Sequence, residues 1–248
     1  MASRTYRTKA IVLQKTKLGE QDLILTMLAA DGCQVRAVAK GARKPGGRLA
    51  ARCELFSETD FLIARGRNLD VVSEASLLEP HANLRGDYLR FTAGECVLEL
   101  ARTTCFQDAP DPFLYPLLSR ALRALEEAPD QAHLDLACAA YAFKVCAHGG
   151  WRPVLDSCVA CGDPHPTWFS VQAGGALCES CAREVEGAEP VSEEWLAWVA
   201  ALIGLTFDQL QEAAVTSETA LSLLSTAHVW CATHLDARLR AFEFLLSV

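Results

Sequence analysis

The chain has 248 residues, about half of them apolar, with a formal net charge of −8 and eleven cysteines. That composition excludes large-scale disorder, which goes with few apolar residues and an excess of charge, and no apolar run approaches the roughly 20 residues that a spanning helix needs. The first residues carry basic side chains but no apolar export core, so the expectation is a cytosolic protein whose cysteines serve something other than disulfides.

Charge is unevenly spread. Residues 1–52 carry 11 Lys+Arg against 3 Asp+Glu, residues 53–80 carry 2 against 6, and residues 81–248 carry 10 against 22. A basic N-terminal face is joined to an acidic body, which points to a polyanion contact confined to one region.

The first 80 residues read as short strands. Lys9 to Lys15 holds the apolar run Ala10-Ile11-Val12-Leu13, and Asp22 to Leu28 holds Leu23, Ile24, Leu25 and Met27. Asp31-Gly32 is a hairpin-turn signal, because both residues tolerate positive φ. Gln34 to Lys40 then alternates, with Val35, Ala37 and Ala39 on one face and Gln34, Arg36, Val38 and Lys40 on the other, the period of a half-buried strand. A loop rich in Gly, Arg and Lys follows over residues 41–48. Further strands are expected from about Leu55 to Ile63 and from Asp70 to Leu78, with a turn at Arg65-Gly66-Arg67-Asn68. Five strands in so short a stretch favour an OB-type barrel over a seven-stranded sandwich.

After Pro80 the period becomes helical. Arg90 to Thr103 reads as one helix. Leu114, Leu117, Leu118, Ala121, Leu122 and Leu125 form one apolar face of the next, with Asp111-Pro112 to start it and Pro129 beyond its end. Leu134, Cys138, Tyr141 and Val145 mark another, ending near Gly149-Gly150. Ser192 and Ser217 are expected caps for two more, Trp195 and Trp198 read as packing residues, and Leu235, Leu239, Phe242 and Leu246 line the last helix. The predicted fold class is therefore α+β: an OB barrel over 1–80 and a helical region over 81–248. Residues 151–190, rich in Cys, Gly and Pro, form a compact insert that needs its own staple.

That staple is legible. Cys158-x2-Cys161 and Cys178-x2-Cys181 are two thiolate knuckles separated by 16 residues, the spacing of a tetrahedral four-thiolate zinc site. A site filled by four protein ligands keeps no open position, so one structural zinc ion is expected rather than a catalytic one. Gly162 follows the first knuckle, where positive φ is useful. His165 lies between the knuckles and reads as a loop residue. The other seven cysteines, Cys33, Cys53, Cys96, Cys105, Cys138, Cys146 and Cys231, read mostly as small buried apolar residues.

On the basic face, Arg36, Lys40, Arg43, Lys44, Arg48 and Arg52 cluster along one predicted strand and the loop after it. Such side chains neutralise phosphates and gain from counterion release. Tyr6 is the only aromatic in the first 52 residues, so binding led by the nucleic-acid backbone, neutral to sequence, is expected rather than base reading. No phosphate-binding loop, nucleophile elbow, zinc-protease helix or dinucleotide fingerprint is present. The six histidines form no pair with a recognisable motif, and Glu126-Glu127 read as a solvated helix end. The expectation is a protein that is not an enzyme.

Several segments together resemble the RecO family of recombination mediators: Lys9 to Leu13, Gly19-Glu20-Gln21-Asp22, Ala39 to Lys44, Gly66 to Leu69, Leu114-x2-Leu117-Leu118, Gly150-Trp151-x-Pro153-x-Leu155-Asp156-x-Cys158, and Phe169-Ser170-x4-Gly175-x2-Cys178-x2-Cys181. The resemblance runs over nearly the whole chain in the family's order. It implies an OB barrel, a helical bundle and an inserted zinc module. It also implies binding of single- and double-stranded DNA, annealing of complementary strands, partnership with RecR, contact with the acidic tail of single-stranded DNA-binding protein (SSB), assistance in loading RecA, and a cytoplasmic, nucleoid-associated place in a bacterium. Lys40, Arg43, Lys44 and Arg48 match the family's DNA-facing positions. Arg102, Arg120 and Arg123 are candidates for the SSB tail, because helix positions beside apolar side chains suit an acidic, aromatic-ended peptide. The alternative is a zinc-containing adaptor with no DNA contact of its own.

Overall fold

The computed structural model describes residues 4–247. Its residues fall into two compact units, one ending at Glu126 and the other beginning at Glu127.

The first unit starts with five strands: β1 (Thr5–Leu18), β2 (Asp22–Ala29), β3 (Gln34–Ala39), β4 (Glu58–Ala64) and β5 (Asp70–Glu79). They close into a barrel in the order β1-β2-β3-β5-β4, β4 returning to pair with β1. Four of the five pairings are antiparallel, and β3–β5 is parallel. That is the OB arrangement expected from the strand count. Alternation fills the inside with Ala10, Val12, Leu25, Met27, Ala37, Phe61 and Ile63. In β1 the run Ala10 to Leu13 is buried on both faces, and the register slips between Val12 and Gln14, the mark of a bulge.

Three helices complete this unit: α1 (Ala82–Gly86), α2 (Tyr88–Thr104) and α3 (Leu114–Glu127). Asp87 caps α2 by accepting from the Arg90 backbone N–H. The Arg102 guanidinium, near the end of α2, donates to the Leu13 carbonyl of β1 at 2.7 Å. Gly94 sits where a Cβ would meet the Phe56 ring at 2.7 Å, so its lack of a side chain lets that ring pack against α2.

The second unit is built on α4 (Gln131–His148), with α6 (Glu193–Gly204), α7 (Phe207–Gln211) and α8 (Ser217–His234) packed on it. Between α4 and α6 lies a three-stranded sheet of β6 (Trp168–Ser170), β7 (Gly175–Leu177) and β8 (Glu189–Pro190), with the short α5 (Glu179–Ala182). Phe169 of β6 carries this module onto the helices: its ring lies 5.7 Å from Trp230 of α8 and 5.2 Å from Trp195 of α6.

Two helix ends differ from the sequence reading. The cap of α8 is Thr216, which accepts from the Thr219 backbone N–H, one residue before the expected Ser217. The last apolar stretch is not one helix. Asp236 takes positive φ (47°), α8 stops at His234, and α9 (Arg240–Leu245) starts afresh, burying Phe242 and Leu245 rather than Leu246.

Candidate nucleic-acid interface and metal centre

The loop after β3 is wound as successive turns. Lys44 N–H donates to the Gly41 carbonyl, Gly47 N–H to the Lys44 carbonyl and Ala50 N–H to the Gly47 carbonyl. Glycine is required at Gly47, where a Cβ would meet the Gly41 carbonyl oxygen at 2.8 Å. The coil is pinned to the β1–β2 turn. Asp22 Oδ1 accepts from Gly41 N–H at 2.7 Å, and the Arg43 guanidinium donates to the carbonyls of Gly19 and Glu20 at 3.2 and 2.9 Å.

These turns leave an open cleft of about 350 Å³, lined by Lys40, Lys44 and Arg48 together with Gln21, Asp22 and Ser73. Lys40, Lys44 and Arg48 are exposed. Among the described residues none of their charged groups is held in a hydrogen bond or ion pair. The other three basic candidates stand differently. Arg36 is exposed on β3 opposite Thr26. Arg43 is engaged as the loop's brace. Arg52 is half-buried, its guanidinium turned back onto the Arg48 carbonyl. Aromatic support is absent from the described part of the barrel. Phe56 and Phe61 are buried, and Tyr6 is engaged, donating its hydroxyl to Asp70 at 2.7 Å with Arg65 5.0 Å above its ring.

Of the peptide-binding candidates, Arg102 is half-buried and committed to the Leu13 carbonyl, while Arg120 and Arg123 are exposed on α3.

In the second unit, Cys158, Cys161, Cys178 and Cys181 bring their sulfurs within 4.8 Å of one another. Each knuckle has a local cause. Gly162, at φ 78°, donates its N–H to the Cys158 carbonyl and closes the first turn. The second knuckle opens α5, with Ala182 N–H donating to the Cys178 carbonyl. Cys161 Sγ and Cys178 Sγ lie 3.7 Å apart, close to the edge of about 3.8 Å that a tetrahedron with 2.3 Å metal–sulfur bonds would have. Burial acts to raise the Cys158 thiol, but the backbone N–H groups of Cys178, Cys161 and Ala160 outweigh it and bring it down to about 6. The hydroxyl of Ser180 likewise draws Cys178 down, whereas the neighbouring sulfurs push Cys181 up to about 12. Four thiols this close cannot all ionise without a cation among them, and the donor set suits a soft or borderline divalent metal.

Sequence reasoning missed a third cluster, in the first unit. His81, 2% exposed, lies two residues past the end of β5, and its Nδ1 is 2.8 Å from Glu126 Oε2. Glu126 is thus no solvated helix end; its Oε1 accepts from Asn83 N–H as well. His81 Nε2 faces Glu58 Oε1 at 3.7 Å. Burial alone would lower the imidazole, yet Glu58 and Glu126 outweigh it and raise its pKa, while Glu58 is lowered despite its own burial. These residues sit on β4, after β5 and on α3, so no local motif announces them.

Models of the N-terminal and C-terminal regions of recombination protein O match residues 1–81 and 85–242. The chain is 35% identical to the DNA repair protein RecO of a Nocardioides species, covering 97% of this chain and 98% of that one. It is 36% identical to the RecO of Cutibacterium acnes over the same shares. To that of Bifidobacterium longum it is 38% identical, over 71% of this chain and 73% of the relative.

Proposed function

This chain belongs to the RecO family, which carries a role in DNA repair and recombination, and on that premise we propose that it is a non-enzymatic strand-annealing and handover factor that holds DNA by its phosphates. The observation that carries this reading is the cleft of Lys40, Lys44 and Arg48, three exposed cations unengaged by the protein itself. Phosphates entering the cleft would release counterions. With no exposed aromatic ring on the described barrel to stack on, bases stay free to pair, and lowered repulsion between two strands is enough to speed their encounter.

Single- and double-stranded DNA both present the phosphates this site needs. The barrel over 1–80 is the DNA-binding part and residues 81–248, with the metal module at about 151–190, the scaffold. Arg36 extends the basic track, Arg43 and Arg52 shape the loop, and the acidic body repels DNA and keeps it on the barrel. The metal held by Cys158, Cys161, Cys178 and Cys181 is one structural zinc ion. Bound there, zinc contributes folding energy to a module with few apolar residues of its own, and its closed shell leaves no position for substrate.

The partners follow from the family. RecR assists transfer to RecA, and the acidic tail of SSB brings the protein to coated DNA, with Arg120 and Arg123 as the exposed cations for that tail and the half-buried Arg102 of α2 as the weaker candidate. The protein works in the bacterial cytoplasm on nucleoid DNA. The test uses complementary strands coated with intact SSB or with SSB lacking its C-terminal tail. Annealing proceeds on the first and falls sharply on the second; equal annealing on both removes the tail contact from the account.

A further inference from the structure

Below the barrel, His81 and Glu58 face each other at a distance no direct hydrogen bond closes. Glu126, 2.8 Å from His81 Nδ1, holds a hydrogen on that nitrogen, so when the ring is neutral it is Nε2 that carries the lone pair. That Nε2 is buried and has no hydrogen-bond partner. It points at Glu58 Oε1 across 3.7 Å, beyond the reach of a hydrogen bond. Glu58 is positioned by the Tyr115 hydroxyl, which donates to its other oxygen at 3.3 Å.

The surrounding charge is negative. Glu79 is the cross-strand partner of Glu58, so two acidic residues stand opposite one another on β4 and β5, a costly arrangement unless a cation lies near. Glu79, His81 and Glu126 each bring a ligand atom within 4.8 Å of the others. The adjacent Arg85 does not neutralise them, since its guanidinium donates to the carbonyls of Leu55 and Pro80.

We propose that His81 and Glu58, with Glu79 in reach, bind a divalent transition cation at a second metal site of this chain, and that Glu126 is the residue that orients the imidazole. A carboxylate on the far nitrogen of a ligating histidine is the usual supporting arrangement in such centres. Metal–nitrogen and metal–oxygen bonds of about 2.1 Å span a 3.7 Å gap between donors without displacing either. One nitrogen and carboxylate oxygens suit Mn(II), Fe(II) or Zn(II), whereas the four cysteines select a softer ion. The ion would tie β4 and the end of β5 to the histidine that α3 holds, stapling the barrel's exit to its helical cover. It would displace the proton that the carboxylates otherwise draw onto the ring.

Mn(II) separates the two sites, because a four-thiolate shell binds it poorly. Full-length protein carrying its cysteine-bound metal is titrated with Mn(II) at mildly alkaline pH and followed by electron paramagnetic resonance and thermal melting. The expected result is one Mn(II) per chain and a rise in Tm. Glu58→Gln and His81→Gln should each weaken binding at least about ten-fold, and Glu126→Gln about ten-fold through lost orientation. Should His81→Gln fail to fold, Glu58→Gln, which keeps the shape of the side chain, decides. Wild-type protein that takes up no Mn(II) and no zinc beyond the cysteine-bound ion, or a Glu58→Gln protein that binds Mn(II) as tightly as wild type, overturns the proposal.

Discussion

Replacing Lys44 and Arg48 together by alanine isolates the electrostatic contribution of the cleft. Both side chains are exposed and unengaged, so the fold should be untouched and Tm unchanged within error. If Arg36, Lys40, Lys44 and Arg48 each meet one phosphate, log K on a single strand should fall with log salt at a slope of about −2.8, and the double variant should show about −1.4. Between 50 and 200 mM salt those slopes correspond to losses of about 50-fold for wild type and about 7-fold for the variant. The assay is fluorescence anisotropy of a labelled single strand across that salt range, repeated on a second strand of unrelated sequence. Both sequences should weaken alike, because phosphates carry no sequence information. A variant with the wild-type slope on both strands would refute the assignment and move DNA to another face.

Arg43→Ala should behave differently. It removes two hydrogen bonds to the β1–β2 turn, so Tm falls along with affinity, by the equivalent of about 1 kcal/mol at this exposed site; unchanged melting would show that the brace is dispensable. Cys161→Ser should lose the zinc proposed for the four cysteines, lower solubility and raise protease sensitivity within 151–190 while the barrel stays folded; elemental analysis and limited proteolysis read both, and zinc retained at full occupancy would contradict the four-sulfur shell. Asp135 is buried in α4, and burial raises its carboxyl to about 6 against the donated hydrogen bond from Gln131. Its folded pKa lies above the unfolded one, so the cost of ionising it is absent at low pH, grows as pH rises from about 4 to about 6 and is complete above that. Asp135→Asn should therefore stabilise the protein on the order of 1–2 kcal/mol at pH 8, after allowance for solvent screening, and by almost nothing at pH 4 in denaturant titrations; an equal effect at both pH values would contradict the burial argument.

The barrel was legible because β3 and β4 alternate with a period of two, β1 and β2 carry short apolar runs and the turns use Gly, Asp and Asn, which are local signals. The four-cysteine cluster was legible for the same reason, since each knuckle is contained in four residues. What escaped was what depends on pairing across the chain. Lys40, Lys44 and Arg48 sit in one run with Arg43 and Arg52, yet only the folded loop separates cations that line a cleft from cations that brace a turn or fold back on the chain. Glu126 read as solvated because it stands beside Glu127 at the end of a predicted helix and nothing nearby in sequence calls for a carboxylate. Its partner, His81, arrives from the end of β5. The break at Asp236 was hidden by an apolar spacing that continues across it.

The central claim is that this protein speeds pairing by holding phosphates and needs no active site. The most direct measurement is the annealing rate of bare complementary oligonucleotides with purified protein, without nucleotide or added metal, for wild type and for Lys40→Ala/Lys44→Ala/Arg48→Ala. The account predicts acceleration by wild type that fades as salt rises, and little acceleration by the variant at any salt. No acceleration by wild type, or equal acceleration by the variant, would contradict it.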